Sequence, residues 1–193
     1  MTEMTTEAKL KDSIHYLEMD FFDGADGLRT QFEKACAAGS RNEMGPLSRV
    51  EAGKAYSFLT TTAEQVFSHA LVFSFLNRLR GWGMEKIGAC HTSTPQVHVY
   101  AQGCARAMAP DATPASHHYV YSLAREVPAQ IQILATDGSR KNWLGIGVNR
   151  LSSVRLGFNS LLVHRADLAY AVQRPREVKS IPGAAVFLHG YIW

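Results

Sequence analysis

The stretch that decides the fold is Y100-A-Q-G-C-A-R-A-M-A-P-D111. It follows directly on the run QVHVY (96–100), whose β-branched and aromatic residues predict a strand. Gly103 then marks a turn, and a loop bounded by prolines carries Asp111. In such a loop an Asp side chain commonly accepts hydrogen bonds from backbone N–H groups. The segment therefore predicts a strand that leads through a turn to an exposed or buried acidic residue.

Further short runs rich in β-branched and aromatic residues continue to the C terminus, separated by Gly, Pro, Asp or Ser. They are HHYVYSL (117–123), AQIQIL (129–134), FNSLLVH (158–164), LAYAV (168–172) and AAVFLHGYIW (184–193). No pattern of helix length falls between them, which excludes an alternating parallel α/β design. We therefore predict a mainly β protein with N-terminal helices, built as a double-stranded β-helix (jelly roll, cupin-like).

Two helices are predicted before these strands. The first covers DGLRTQFEKACAAG (26–39). The second covers TTAEQVFSHALVFSFLNRLRGWG (61–83), with Thr61 and Glu64 at the spacing of a capping box and Gly81 as its end. Its apolar residues cover more than one stripe, which predicts burial against a sheet; they are Val66, Phe67, Leu71, Phe73, Phe75 and Leu76.

The composition is that of an ordinary globular chain. Its 193 residues are 46% hydrophobic, which suits one domain with a sizeable core. We expect a single domain over 1–193, with disorder over 1–13, helical support over 14–83 and a jelly-roll core over 95–193.

Charge and cysteine content exclude several classes of protein. The formal charge of +3 is small and spread along the chain, which predicts no nucleic-acid partner. The polar start has no signal peptide, and no apolar run is long enough to span a membrane, so we expect a cytoplasmic protein. Cys36, Cys90 and Cys104 form no C-x-x-C pair, which argues against a disulfide framework or a zinc site.

The order and spacing of these segments resemble the 2-oxoglutarate/Fe(II)-dependent oxygenases, in particular their prolyl-hydroxylase-like members, over roughly residues 50–193. The resemblance implies a jelly-roll core and an iron site in which Tyr-x-x-Gly leads to a His-x-Asp turn. Tyr100, Gly103 and Asp111 fall in register with that pattern, and Ala109 stands at the position of the histidine.

The resemblance also implies a second histidine and a basic residue on the last strand that binds 2-oxoglutarate. Tyr170 stands at the position of that histidine, and Ala184 or Ala185 at that of the basic residue. The His-Gly-aromatic triplet 189–191 of the family pattern is present. Lys179 is close in sequence, but Pro and Gly after it predict that it starts in a loop.

Two imidazole ligands and the co-substrate contact are thus replaced together. Loss of even a partner that only orients a metal ligand costs about 10–100-fold in affinity. Two charge-assisted hydrogen bonds to 2-oxoglutarate are together worth about 3–6 kcal/mol. We therefore predict an oxygenase-like protein that has lost both cofactors, a pseudoenzyme that binds a small molecule in a secondary-metabolite pathway. Its predicted pocket residues are Tyr100, Asp111, His117 or His118, His164 and Tyr170.

Two other functions stay open at this stage. One is an active oxygenase that holds Fe(II), with 2-oxoglutarate as co-substrate, through Asp111, His117 or His118, and His164. Adjacent residues on a strand point to opposite faces, so only one of His117 and His118 can face the interior. The other is a metal-free cyclase or isomerase that uses Asp111 and Tyr170 as an acid–base pair, with the Tyr170 hydroxyl bonded to Asp111.

The expected partner is a small-molecule ligand inside the barrel. A protein partner is predicted on a separate feature, the apolar C-terminal segment FLHGYIW (187–193). Tyr191 and Trp193 would pack there against an active oxygenase paralogue or a second copy of the chain.

Overall fold

The computed structural model describes residues 15–38, 46–52, 56–101, 104–109, 113–125, 129–141, 147–173 and 183–193. These ranges hold two α-helices, a short 3-10 turn and eleven strands. In chain order they are β1 (His15–Glu18), α1 (Ala25–Ala38), β2 (Ser48–Ala52), β3 (Tyr56–Thr62), the 3-10 turn (Ala63–Gln65), α2 (His69–Ile87), β4 (Gln96–Tyr100), β5 (Ala105–Ala109), β6 (His117–Ser122), β7 (Ala129–Lys141), β8 (Gly147–Leu156), β9 (Ser160–Arg165), β10 (Ala169–Val172) and β11 (Ala185–Ile192).

The strands form one antiparallel sheet that curls into a barrel. Their order is β1-β9-β6-β11-β4-β3-β5-β10-β7-β8, and β2 pairs with β3 outside this path. Side chains from the two halves of this path share one core: Val120, Leu162 and Phe187 of the first half meet Ile131 and Tyr170 of the second. The sheet therefore curls around one core, which confirms the predicted double-stranded β-helix.

A second core lies between the outer face of the first half and the two helices. Alternation along β11 separates the two cores: Val186 and Leu188 pack toward the helices, and Phe187 packs inside the barrel. Leu28 of α1 and Phe75 of α2 are fully buried in this outer core. The helices thus support the barrel from outside and leave its interior to the strands.

The six strands predicted from residue 96 onward are all present. The structure differs upstream, because the segment 14–83 contributes β1, β2 and β3 in addition to its helices. Two further strands that were not predicted, β5 and β8, lie after residue 104. The sequence of β5, ARAMA, contains no β-branched residue, and pairing with β3 and β10 holds it as a strand. Residues 1–13 lie outside the described ranges, and a single domain stays a prediction.

The second helix differs from its prediction at both ends. It spans His69–Ile87, because Thr61 lies in β3 and the capping-box spacing falls on the 3-10 turn. It continues through Gly81 and ends at Gly88, whose φ of 68° is the left-handed conformation that glycine adopts without strain. Only one face is buried, since Phe73 on the other face is 53% exposed. Neither helix in the described ranges is long and apolar enough to cross a membrane.

The end of α2 gives a test of this packing. A methyl group on Gly83 would overlap the backbone carbonyl oxygen of Ala89, whereas one on Gly81 meets nothing within 4 Å. We expect Gly83→Ala to lower the free energy of unfolding by about 1–3 kcal/mol, as overpacking does. Gly81→Ala should raise it by about 0.5–1 kcal/mol through helix propensity. Urea denaturation of the two variants measures the difference, and equal effects would contradict the described contact.

Candidate functional site

The two positions that the resemblance assigns to iron-binding histidines meet in the structure. Tyr170 on β10 and Ala109 at the end of β5 are direct cross-strand partners. Side chains of directly opposed residues lie on the same face of a sheet, with Cβ atoms about 4.5–5.5 Å apart. Tyr170 is 3% exposed and belongs to the barrel core. Asp111 and Lys179 lie outside the described residues, so the predicted Tyr170–Asp111 hydrogen bond stays a prediction.

The ring of Tyr170 is covered on the inside of the barrel by two side chains. The Arg106 guanidinium carbon lies 4.0 Å from the centre of the Tyr170 ring, in cation–π geometry. The His118 ring stacks on Tyr170 with centroids 4.8 Å apart and planes inclined by 28°. The phenol ring is therefore packed between a cation and an imidazole.

Arg106 is a site residue that the sequence analysis missed. It lies three positions before Ala109, so simple alternation would place the two side chains on opposite faces. The register shifts here, because Tyr170 pairs with Ala109 while Val172 pairs with Arg106. Between these pairs the single residue Ala171 of β10 stands opposite two residues of β5, Ala107 and Met108, as in a β-bulge. Arg106, only 8% exposed, therefore also faces the barrel interior.

Four histidines line up on neighbouring strands, and we call them the imidazole row: His98, His118, His164 and His189. His118 on β6 and His164 on β9 are cross-strand partners, each 1% exposed. The Nδ1 atom of His118 lies 3.1 Å from Nε2 of His164. The Nε2 atom of His118 lies 2.7 Å from Nδ1 of His189. The ring centroids of His189 and His98 are 3.9 Å apart.

The structure brings some of the predicted pocket residues together and places others elsewhere. His118, His164 and Tyr170 come together, since the ring of His164 lies 5.2 Å from that of Tyr170. Tyr100 is buried in the same barrel core but packs on Phe58 and Phe187. His117 is turned away; it is partly exposed and its Nδ1 contacts Ser116 Oγ at 3.0 Å.

His98 and His189 were not among the predicted pocket residues, although alternation could have identified them. His98 is two residues before the inward Tyr100, and His189 is two residues after the inward Phe187. Both rings are partly exposed, as is Tyr191, whose ring lies 5.3 Å from that of His118. These three partly exposed residues lie beside the buried His118, and we call them together the mouth.

Gly190, in the retained His-Gly-aromatic triplet, has a packing role. A Cβ atom on it would lie 2.5 Å from Ser93 Oγ and 2.8 Å from the Tyr119 hydroxyl oxygen. The backbone between His189 and Tyr191 can therefore pass under Tyr119 only without a side chain. This close approach explains the glycine without any role in chemistry.

The surroundings of His118 and His98 disfavour protonation of these two rings. Burial lowers the pKa of His118 well below its usual value, and the basic groups nearby add to the effect; they are His189, His164, Arg106 and His98. Burial likewise lowers the pKa of His98, followed by the influence of His189 and Arg106. Near neutral pH the two rings therefore carry no charge.

The described residues do not suit an Fe(II) site. Ala109 has no donor atom, and the ring of Tyr170 is stacked between Arg106 and His118. Within the described ranges, no three His, Cys, Asp or Glu side chains converge as metal ligands. His118 and His164 lie together, as the alternative ligand set requires. However, the two ring nitrogens of His118 contact different rings: Nδ1 contacts His164 and Nε2 contacts His189. That ligand set stays a prediction because Asp111 is not described.

Ala184 and Ala185 stand where the resemblance implies a basic residue that binds 2-oxoglutarate. Ala185 faces the barrel interior opposite Tyr100, and Ala184 packs in the outer core. Neither can donate a hydrogen bond from its side chain to a carboxylate. Lys179 lies outside the described residues, so loss of the co-substrate contact stays a prediction.

The buried neutral His118 predicts that acid destabilises the protein. The unfolded chain binds a proton at His118 below about pH 6.5, and the folded chain does not. Because the unfolded state then binds more protons, the free energy of unfolding falls as pH falls below about 6.5, by up to about 1.4 kcal/mol per pH unit for each such histidine. Urea denaturation between about pH 7.5 and about pH 5.5 measures this slope. His118→Phe should flatten it, and an unchanged slope would contradict the prediction.

Comparisons with known proteins find similarity only among solved structures. No protein-family model matches the chain, and no curated protein matches it in sequence. The non-heme alpha-ketoglutarate-dependent carbocyclase SnoK from nogalamycin biosynthesis matches with a TM-score of 0.69 and 10% identity, over 98% of this chain and 83% of SnoK. The epimerase SnoN from nogalamycin biosynthesis matches with a TM-score of 0.68 and 10% identity, over 96% of this chain and 80% of SnoN.

A prolyl-4-hydroxylase from Pseudomonas putida matches with a TM-score of 0.64 and 13% identity, over 95% of each chain. Matches at such low sequence identity show a shared fold and do not show a shared activity. Together with the strand order and the cross-strand pair Ala109–Tyr170, these matches confirm the resemblance at the level of the fold. The chain has the double-stranded β-helix fold of the 2-oxoglutarate/Fe(II)-dependent oxygenases.

Proposed function

We propose that this protein is an oxygenase-fold protein that binds neither Fe(II) nor 2-oxoglutarate and instead holds a small molecule in its barrel. The observation that carries the proposal is the environment of Tyr170. It stands opposite Ala109 at the position of one ligand histidine, and its ring is stacked between Arg106 and His118. The contacts of this ring with Arg106 and His118 support a side chain used for packing rather than for metal binding.

The chemistry of the replaced residues supports loss of the metal. An alanine supplies no electron pair, and a phenol loses its proton only near pH 10 when unperturbed, so Tyr170 is a poor ligand for Fe(II) near neutral pH. A buried guanidinium 4.0 Å from the ring adds a positive charge that repels a cation. The two effects act in the same direction.

The nature of the ligand is inferred from the mouth of the barrel. His98, His189 and Tyr191 offer aromatic faces and polar edges at the same place, a combination that suits a flat molecule with hydroxyl or carbonyl groups. SnoK and SnoN are both named as enzymes of nogalamycin biosynthesis. By analogy we propose a secondary metabolite as the ligand.

Metal analysis tests the proposal. The protein is purified anaerobically with added Fe(II), and iron per chain is measured together with consumption of 2-oxoglutarate. We expect iron far below one equivalent and no consumption of 2-oxoglutarate. About one iron per chain would overturn the proposal.

The protein partner and the cytoplasmic location remain predictions. The 43% exposure of Trp193 supports it as a contact residue, whereas the ring of Tyr191 lies 5.3 Å from that of His118. Light scattering of the protein alone, and with a candidate oxygenase paralogue, would detect either assembly.

A further inference from the structure

Strand β2 lies outside both cores of the protein. Its first four residues are all exposed, so this part of the strand is covered on neither face. The side chains of Arg49 and Glu51 are 53% and 59% exposed, and Val50 is 36% exposed. Leu47, directly before the strand, is buried in the outer core. Strand β2 therefore extends the sheet from that core into solvent.

Among the described residues, β2 pairs along one edge only. Leu59 of β3 pairs with Arg49 of β2 and with Val99 of β4, so β2 and β4 lie on opposite edges of β3. In an antiparallel strand, alternate residues turn their backbone N–H and C=O groups toward opposite edges. Every second residue of β2 therefore turns these groups away from β3. Such an edge is a template for one more strand.

The charges of β2 fit a second copy of the same strand. Arg49 and Glu51 lie on one face, and Nε of Arg49 is 2.6 Å from Oε1 of Glu51. In an antiparallel pair with a two-fold axis through Val50, residue 49 of each copy stands opposite residue 51 of the other. Directly opposed side chains have Cβ atoms about 4.5–5.5 Å apart, and opposite charges at these positions are stabilising. Two Arg49–Glu51 pairs thus form across the axis.

The same charges disfavour the neighbouring registers. A two-fold axis through Arg49 would place two guanidinium groups directly opposite each other, and an axis through Glu51 would do the same to two carboxylates. Like charges at directly opposed positions are destabilising. The pattern therefore selects the register centred on Val50, in which the two Val50 side chains meet on the face opposite the charges.

We propose that β2 is an interaction surface for a second copy of this chain, and that the two β2 strands pair antiparallel about a two-fold axis through Val50. The interface is isologous, and it adds each sheet to the edge of the other. A ladder of five residues per chain is small, so the association is weak and depends on protein concentration. The proposal is independent of the proposed ligand, and it uses a different surface from the C-terminal segment 187–193.

The other two outermost strands lack this complementarity. Strands β1 and β8 are the ends of the strand path, and Ser152 Oγ of β8 lies 3.3 Å from Nδ1 of His15 in β1. Strand β8 carries Arg150 and Arg155 and no acidic residue, so a second β8 beside it would bring only positive charges together. Within the described ranges, β2 is thus the outermost strand whose charges attract its own copy.

Charge reversal in the full chain tests the proposal by sedimentation equilibrium at protein concentrations up to about 1 mM. We expect the average mass of the wild-type protein to rise with concentration from that of one chain toward that of two. Arg49→Glu and Glu51→Arg should each weaken association at least about 10-fold, because each places like charges opposite each other. The double variant Arg49→Glu/Glu51→Arg should associate like the wild type.

An equimolar mixture of the two single variants separates pairing between copies from damage within one chain. Each chain keeps its own like-charged strand, but residue 49 of one variant now stands opposite a residue 51 of opposite charge. We expect the mixture to regain association, which a mere loss of β2 structure would not allow. Arg165→Glu is the matched control, because it breaks the exposed Arg165–Asp167 pair, which has the same spacing in sequence, and should leave association unchanged.

Three results would overturn the proposal. They are a wild-type protein that stays monomeric at every concentration, a mixture that stays monomeric, and a dimer that none of the β2 variants weakens. Trp193→Ser identifies the last case, because a dimer that only this variant dissociates is formed through the C-terminal segment. Failure of the proposed function is distinguishable, since it appears as bound iron in the metal analysis whatever the mass of the assembly.

Discussion

The double variant Ala109→His/Tyr170→His is expected to bind Fe(II) at least about 100-fold more tightly than the wild-type protein. The two positions are cross-strand partners on one face, so two imidazoles placed there can converge on one ion. Removal of Tyr170 also frees the space between Arg106 and His118. The factor is a lower bound, since a partner that only orients a ligand is already worth about 10–100-fold.

Anaerobic titration with Fe(II), or with Co(II) as a coloured substitute, measures the gain. The single variant Ala109→His is the matched control, because it adds one imidazole and keeps the stacked phenol; it should gain much less. A double variant that remains folded but binds no more metal than wild type would contradict the assignment of these positions as former ligand sites.

Phe75→Ala is expected to lower the free energy of unfolding by about 3–5 kcal/mol. Phe75 is fully buried where α2 packs on the sheet, and its ring lies 4.9 Å from that of Tyr121 and 5.7 Å from that of Phe22. Truncation removes the contacts that join the helix layer to the outer core and leaves a cavity. Stability changes of this size come from such buried sites.

Phe73 provides the matched control two residues away on the same helix. It is 53% exposed, and Phe73→Ala should change the free energy of unfolding by no more than about 0.5 kcal/mol. Urea denaturation at equal protein concentration measures both variants. If Phe75→Ala and Phe73→Ala lower the free energy of unfolding equally, the assignment of the buried face of α2 is wrong.

Local pattern was sufficient for much of the fold. Six strands after residue 95 were predicted, because β-branched and aromatic runs between turn residues favour strands wherever they occur. Alternation also required that only one of His117 and His118 face the interior, and the structure shows it to be His118. Both predictions depend on neighbours along the chain.

The predictions that differed depend on partners distant in sequence. The capping-box spacing at Thr61 falls in a strand because β3 pairs with β2 and β4, and pairing outweighs a local helix signal. The alanine-rich β5 is a strand only through β3 and β10. Arg106 reaches the interior through a register shift that requires both strands of the pair.

The sequence by itself predicted the jelly roll, and through the resemblance it placed Ala109 and Tyr170 at the two histidine positions of the oxygenase pattern. Only the tertiary structure showed what surrounds these positions: Arg106 and His118 against the ring of Tyr170, and a row of imidazoles from four neighbouring strands. The reason is physical. Side-chain alternation is fixed by each strand's own geometry, whereas contacts across strands depend on register, which is set by pairing between distant segments.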